Sequence, residues 1–242
     1  MDLGLTGRVA VVTAASKGLG RACALALAAE GARVLVSARS TDLLDGLVAE
    51  VARAGGEAHA VVGDMTDPAV PQRLVEAALE RWGRLDAVVG NAGGPPTGRA
   101  LDVDDDALRA AFDTNALASV RLARAAVPHL VERGWGRVVF IASASVKQPI
   151  PDLALSNTAR TALWAWTKTA AADVAAQGVT INLVCPGLHA TDRLLERGVP
   201  AGARTGSPGD FGKVVAFLCS EPAAFVNGTA VGVDGGATTG LL

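Results

Sequence analysis

The residues with the plainest chemical purpose lie in one run, "VVTAASKGLGRACALALAAEGARVLVSARS", Val11 to Ser40. An apolar strand-like segment leads through a glycine-rich turn into a helical pattern. Gly18 and Gly20 have no side chains, so the backbone there can approach a pyrophosphate closely. The amides and dipole of the following helix N-terminus favour the anion. A turn that merely packs a helix on a sheet would also use glycine, but the strand–turn–helix order is what dinucleotide binding requires. The next strand-like segment ends Ser37-Ala38-Arg39, without an acid. A carboxylate at that place would hold the ribose 2′-hydroxyl of NAD(H), whereas arginine accommodates a 2′-phosphate. Arg39 and Lys17 together therefore predict NADP(H) in preference to NAD(H), because a guanidinium pairs well with phosphate oxygens.

Other chemistries find little support. Cys23, Cys185 and Cys219 are scattered, make no metal-ligand spacing and fit a reducing cytosol as small core residues. His59 and His129 fall on a strand and a helix and read as structural. His189 follows Pro186-Gly187 and is a weaker candidate to face a substrate. No constellation for a metal or a hydrolytic triad is present, and the GxSxG elbow is absent. The acidic trio Asp104-Asp105-Asp106 reads as a helix start, where carboxylates complement the dipole.

These residues need a frame. The 242 residues are 50% hydrophobic and 19% charged, with a formal net charge of −2. That balance suits one large domain with a sizeable core, predicted over 1–242, and argues against nucleic-acid or anionic-membrane partners. No signal-peptide pattern and no apolar run of about 20 residues is seen, so a cytoplasmic location is expected. Apolar β-branched runs at 8–13, 33–38, 57–62, 86–91, 137–142, 179–184 and 229–234 read as strands. Helical patterns lie between them at 18–30, 41–54, 68–81, 104–132, 153–177 and 209–220. The alternation predicts an α/β class, Rossmann-like fold: a doubly wound, parallel, seven-stranded sheet with helices on both faces. Ligands are then expected at the carboxyl ends of the strands.

Motifs along the chain resemble the short-chain dehydrogenase/reductases. "TAASKGLG" is similar to the family's T-G-x-x-x-G-x-G turn. "GDMTD" (63–67), "GNAG" (90–93), "FDTN" (112–115), "FIASAS" (140–145) and "INLVCPGLHAT" (181–191) follow in the family's order. "RTGSPGDFGKVVAFLCS" and "VNGTAVGVDGG" resemble the C-terminal part of 3-oxoacyl-acyl-carrier-protein reductase-like members. The resemblance implies cofactor contacts from Thr13, Ser16, Lys17, Gly18, Leu19 and Gly20. It places Asp64 and Met65 along the adenine, and Asn91, Ala92 and Gly93 beside the central strand. Pro186, Gly187, Leu188 and Thr191 are placed near the nicotinamide. Asn115 corresponds to an asparagine that organises a proton-relay water, and Ser143 to a serine that polarises a carbonyl. A short substrate lid is expected near 188–205. Association through 104–132 and 153–177 is also implied, as a homo-oligomer (a dimer or tetramer) or with an active relative.

The same alignment exposes departures. Ala14 stands at the first glycine of the turn, and Gly90 at an asparagine. In "LSNTAR" (155–160), Ser156 stands at the catalytic tyrosine and Arg160 at the lysine, and the chain contains no tyrosine. Ser143 to Ser156 spans the family's usual thirteen positions. A phenol with a pKa of about 10 can be brought to working pH by a neighbouring cation, but a serine hydroxyl cannot. Arginine keeps the charge and can hold ribose hydroxyls, a carboxylate or an acidic substrate, but its pKa above about 12 prevents it from passing a proton. The favoured reading is an NADP(H)-dependent oxidoreductase with a rearranged proton source, acting on a small or carrier-bound carbonyl or alcohol. Water held by Asn115, Ser143 and Ser156 is the expected donor, with Lys147 and Asp152 as other candidates; an exposed loop lysine and a helix-capping aspartate are the plainer readings of those two. The alternatives are a non-catalytic cofactor-binding or scaffold subunit, and a non-redox lyase or isomerase using Arg160 to stabilise an enolate.

Overall fold

The computed structural model describes residues 1–240. Seven parallel strands form one sheet: β1 (Val9–Thr13), β2 (Arg33–Ala38), β3 (Glu57–Val62), β4 (Ala87–Gly90), β5 (Gly136–Ile141), β6 (Val179–Pro186) and β7 (Ala230–Val233). Their order is β3-β2-β1-β4-β5-β6-β7. The order reverses between β1 and β4, which opens a crevice at the carboxyl ends of those two strands. The predicted strands agree with these to within about two residues at each end, the usual uncertainty of a boundary.

Helices α1 (Gly18–Ala29), α2 (Thr41–Arg53) and α8 (Pro208–Leu218) share one core with Val12, Val34, Val36 and Val184. Helices α3 (Val70–Trp82), α5 (Ala118–Glu132) and α6 (Ala154–Val174) share a second core with Val11, Leu35, Val88 and Ile181. Neighbours such as Val11 and Val12 point to opposite faces, so a strand covered on both sides must be apolar throughout. At β1 every residue is buried, whereas the edge strand β3 has exposed ends.

Three details differ from the sequence expectation. The predicted helix at 104–132 is α4 (Asp105–Phe112), a π-helical turn (Asp113–Leu117) and then α5. Helix α3 starts at Val70 because Asp67 turns back to accept from the Ala69 amide (2.9 Å). A short helix, α7 (Asp192–Arg197), occupies the segment expected to be a lid. The acidic trio does start a helix: Asp104 accepts from the Ala107 amide (2.8 Å), and Asp105 and Asp106 pair with Arg109. All three cysteines are free and buried. Burial raises each thiol above its ordinary value, Cys185 to about 11 and Cys219 to about 12.

Candidate active site

The glycine-rich turn is clamped to the end of β4. The Thr13 hydroxyl donates to the Asn91 carbonyl (2.8 Å) and accepts from the Asn91 amide (2.8 Å). The Asn91 side chain donates to the Ala14 carbonyl (3.3 Å). The Ala15 amide donates to the Ser37 carbonyl (3.0 Å), tying the turn to β2 as well. Gly20 is buried between these groups. A Cβ there would lie 2.7 Å from the Asn91 amide nitrogen and collide with the Ala14 carbonyl. Gly18 takes a positive φ of 56° and lies against Thr191. Lys17 caps α1 without a side-chain bond, so the first-turn amides are left to bind water or an anion. A groove of about 720 Å³ runs from Ser16, Lys17 and Gly18 along α1, past Thr191. It does not include Asn115, Ser143 or Ser156. The groove therefore follows the glycine-rich turn and the outer flank of α1, away from Asn115, Ser143 and Ser156.

Arg39 stands at the end of β2 with 82% of its side chain exposed, 3.9 Å from Asp64. An exposed pair at that distance contributes little, so Arg39 can turn to a phosphate at small cost. Asp64 itself is held by the Thr66 amide (3.0 Å) and hydroxyl (2.9 Å). Those bonds, with a smaller contribution from Arg39, keep its carboxyl below the usual range. Met65 follows in the same turn, half-buried against the second core. Ala92 and Gly93 continue from Asn91 past the end of β4.

On the other side of the crevice, Asn115 lies in the π-helical turn and is buried. Its Nδ2 donates to the Ala111 carbonyl (3.2 Å), while its Oδ1 has no partner. A buried amide oxygen left this way calls for a water or a ligand donor, and π turns of this kind recur at functional sites. Ser143 follows β5 and accepts from the Ser145 amide (3.2 Å), starting a 3₁₀ turn at Ala144–Val146. Ser156 is buried in the first turn of α6, which packs against the π turn. Arg160 is one turn further on the same face.

Arg160 is 6% exposed and bonded to the backbone of β5. Its Nη1 donates to the carbonyls of Ile141 (2.7 Å) and Ala142 (3.0 Å), the two residues before Ser143. Among the described residues, it has no carboxylate within ion-pair distance. Burial lowers its pKa to about 10, helped by Arg193 and opposed by Cys185. It remains charged at neutral pH and fastens α6 to the end of β5.

Pro186 ends β6, and the Gly187 amide donates to the Val233 carbonyl (3.1 Å). A Cβ on Gly187 would press on the Asp234 backbone at 2.8 Å. Leu188 is exposed, and Thr191 caps α7 by accepting from the Leu194 amide (3.4 Å). His189 proves structural: it is 6% exposed, edge-on to Phe211, with its Nδ1 3.2 Å from the Gly187 carbonyl. Asp152 does not cap α6, as its plainer reading had it; it is exposed and 3.8 Å from Arg99. Lys147 is half-buried, close enough for its charge to act on Cys185. Arg193 was missed from the sequence. It donates to the Pro95 carbonyl (3.3 Å), so it spans from α7 to the loop after β4. Only its place two residues after Thr191 could have signalled it.

The sheet order, the clamped glycine turn and the polar residues across the crevice define a doubly wound, dinucleotide-binding class of domain. Residues 13–238 match the family model described as enoyl-(acyl carrier protein) reductase. The chain is 36% identical to a 3-oxoacyl-[acyl-carrier-protein] reductase of Synechocystis, over 96% of this chain and 97% of that protein. It is 34% identical to dehydrogenase/reductase SDR family member 4 of Oryctolagus cuniculus, over 98% and 96%. In structure it is similar to L-sorbose reductase from Gluconobacter frateurii, solved with NADPH and L-sorbose, with a TM-score of 0.93, 30% identity and full coverage of both chains. The chain belongs to the short-chain dehydrogenase/reductases.

Proposed function

We propose that the chain is an NADP(H)-dependent oxidoreductase that interconverts a carbonyl and an alcohol without a tyrosine proton donor. The observation that carries this reading is the buried, unpartnered Asn115 Oδ1 opposite the Ser143 and Ser156 elements, beside a turn shaped for a dinucleotide. The nucleotide fits the residues present: Gly18 and Gly20 leave room for its pyrophosphate, and exposed Arg39 and Lys17 for a 2′-phosphate. The NADPH-bound sorbose reductase supports the same assignment. When bound, the nicotinamide supplies or accepts a hydride.

The remaining requirement is a proton for the alkoxide. Ser143 polarises the substrate oxygen. A water held by Asn115 Oδ1 and Ser156 hands the alkoxide a proton and takes one in turn from bulk solvent along a water chain, since neither a lone water nor a serine hydroxyl is acidic enough to be the final source. Arg160 holds the Ile141 and Ala142 carbonyls, so it positions Ser143 and adds positive potential near the developing oxyanion. With Nη1 bound to the protein, Arg160 does not act as the family lysine would in a relay. The lid is the 188–205 segment. Paired subunits joined through α5 and α6, as a homo-oligomer or with a relative, remain part of this proposal.

Titration with NADPH and NADH, followed by hydride-transfer assays on a carbonyl panel, tests the reading. Tight NADPH binding with turnover is expected. No binding of either nucleotide overturns the cofactor assignment, and tight binding without turnover moves the reading to a scaffold subunit. Arg39→Asp is expected to weaken NADPH by about tenfold or more relative to NADH. Equal weakening of both would show that Arg39 does not read the 2′-phosphate.

A further inference from the structure

We propose that residues 234–240 form a strap along the substrate side of the cleft, and that Gln148 is its latch, limiting the bulk that can flank the reacting carbonyl. This rests on the oxidoreductase reading and names the size class of its substrate. The strap starts where β7 ends, and its root is fixed. The Gly187 amide donates to the Val233 carbonyl (3.1 Å), and Gly187 packs on the Asp234 backbone too closely for a side chain. The chain then reverses through Gly235 and Gly236, which take positive φ of 66° and 85°. The Asp234 carboxylate holds that turn by accepting from the amides of Gly236 (3.0 Å) and Thr238 (2.9 Å).

Among the described residues, Thr239 ties the strap to another element. Its amide (3.0 Å) and its hydroxyl (3.3 Å) both donate to Gln148 Oε1. In the sheet β6 lies between β7 and β5, so the strap crosses the end of β6, where Pro186 and Gly187 lie, to reach the loop after β5. Gln148 closes the turn that Ser143 opens. The Val146 amide donates to the Ser143 carbonyl (3.1 Å), and the amides of Lys147 (3.0 Å) and Gln148 (3.1 Å) to the Ala144 carbonyl. The strap also lies beside the lid, since a Cβ on Gly235 would sit 4.0 Å from the Arg204 Cδ. One segment thus bounds the Ser143 turn, the end of β6 and the lid. Gln148 and Thr239 are both exposed, so the latch is open to solvent. Hydrogen bonds of this kind shift an equilibrium by about three- to tenfold. A closed strap admits a compact substrate. A bulky one enters only the open fraction, which raises its KM in proportion to the closed population.

The test uses the whole protein with NADPH and a matched pair with the same reacting carbonyl: cyclohexanone and 4-tert-butylcyclohexanone. The parent is expected to favour cyclohexanone in kcat/KM. Gln148→Leu keeps the size of the side chain and removes the acceptor. It should move the ratio toward the bulky ketone by about three- to tenfold, through the KM of that ketone, with NADPH affinity retained as the check on folding. Thr239→Pro removes the amide from the other side of the latch and should do the same. Gln148→Glu keeps an acceptor for the Thr239 amide and should hold the parent ratio. A parent that prefers the bulky ketone overturns the proposal. So does a ratio unmoved by Gln148→Leu and Thr239→Pro, or one that Gln148→Glu moves as far as they do. If neither ketone is reduced, hydrogen exchange over 234–240 in the NADPH complex decides. Faster exchange in Gln148→Leu, with Gln148→Glu like the parent, sustains the strap even though the hydride-transfer reading then fails. Equal exchange in all three removes it.

Discussion

Ala14 takes a φ of 46° and is the only non-glycine residue with positive φ among the described residues. A left-handed L-residue is strained by about 1–2 kcal/mol. Glycine there would relieve that strain but lose about 0.5–1 kcal/mol to its freer unfolded chain. Relief wins, so Ala14→Gly is expected to stabilise the protein by about 0.5–1 kcal/mol, a rise of roughly 1–4 °C in Tm by thermal denaturation. Unchanged or lower Tm would mean that the Asn91 bond to the Ala14 carbonyl already compensates the strain. The sequence marked Ala14 as a departure because it interrupts a motif. The role of Arg160 was less legible. A sequence shows that a cation lies one turn beyond Ser156. It does not show which acceptors take its protons, since the carbonyls of Ile141 and Ala142 have no signature in residue type.

Elements were the most legible level. Continuous Val-, Ile- and Leu-rich runs mark strands buried on both faces, and the helices between them follow from the alternation. The π turn at Asp113–Leu117 escaped because its wider turn leaves the apolar pattern of the flanking helices readable as one helix. Helix α7 escaped because six residues between Thr191 and Gly198 are too few to show a period. The Gly90 departure has a packing reason. A Cβ there would come within 2.7 Å of Phe140 on the neighbouring strand, so this pairing of β4 with β5 has no room for asparagine. In the proposed mechanism the π turn matters because it carries Asn115. Replacing Asn115 by leucine removes the orphaned oxygen with similar volume. Turnover is expected to fall by about 10²-fold with a Tm change of only a few degrees. A large fall in Tm with turnover retained by the folded fraction would assign Asn115 to structure alone.

At the scale of the molecule, the end of the sheet opposite the crevice is held by charge. The Asp86 carboxylate has no exposed surface and meets Arg8 (3.2 Å), Arg84 (2.6 Å), Arg133 (3.9 Å) and the Val9 amide (2.8 Å). Burial alone would raise its pKa, but the bonds from Arg84, Val9 and Arg8 outweigh burial and hold it below the ordinary value. Its contribution is therefore present above an unfolded pKa of about 3.9 and is lost as pH falls through the lower folded value. Asp86→Asn should destabilise by roughly 3–5 kcal/mol at neutral pH in urea denaturation, and the gap to the parent should shrink as the pH falls below the ordinary carboxylate range. A constant gap would deny the ion pairs their role. The three buried cysteines extend the same view from equilibrium to time. Cys23 lies in α1, Cys185 at the end of β6 and Cys219 after α8, so a thiol reagent can reach each only when its own layer opens. Labelling rates then serve as three local clocks in the unaltered protein. The Cys185 clock, with its sulfur beside the Ser143 amide, should slow when NADPH is added, while the Cys219 clock keeps the pace of the frame.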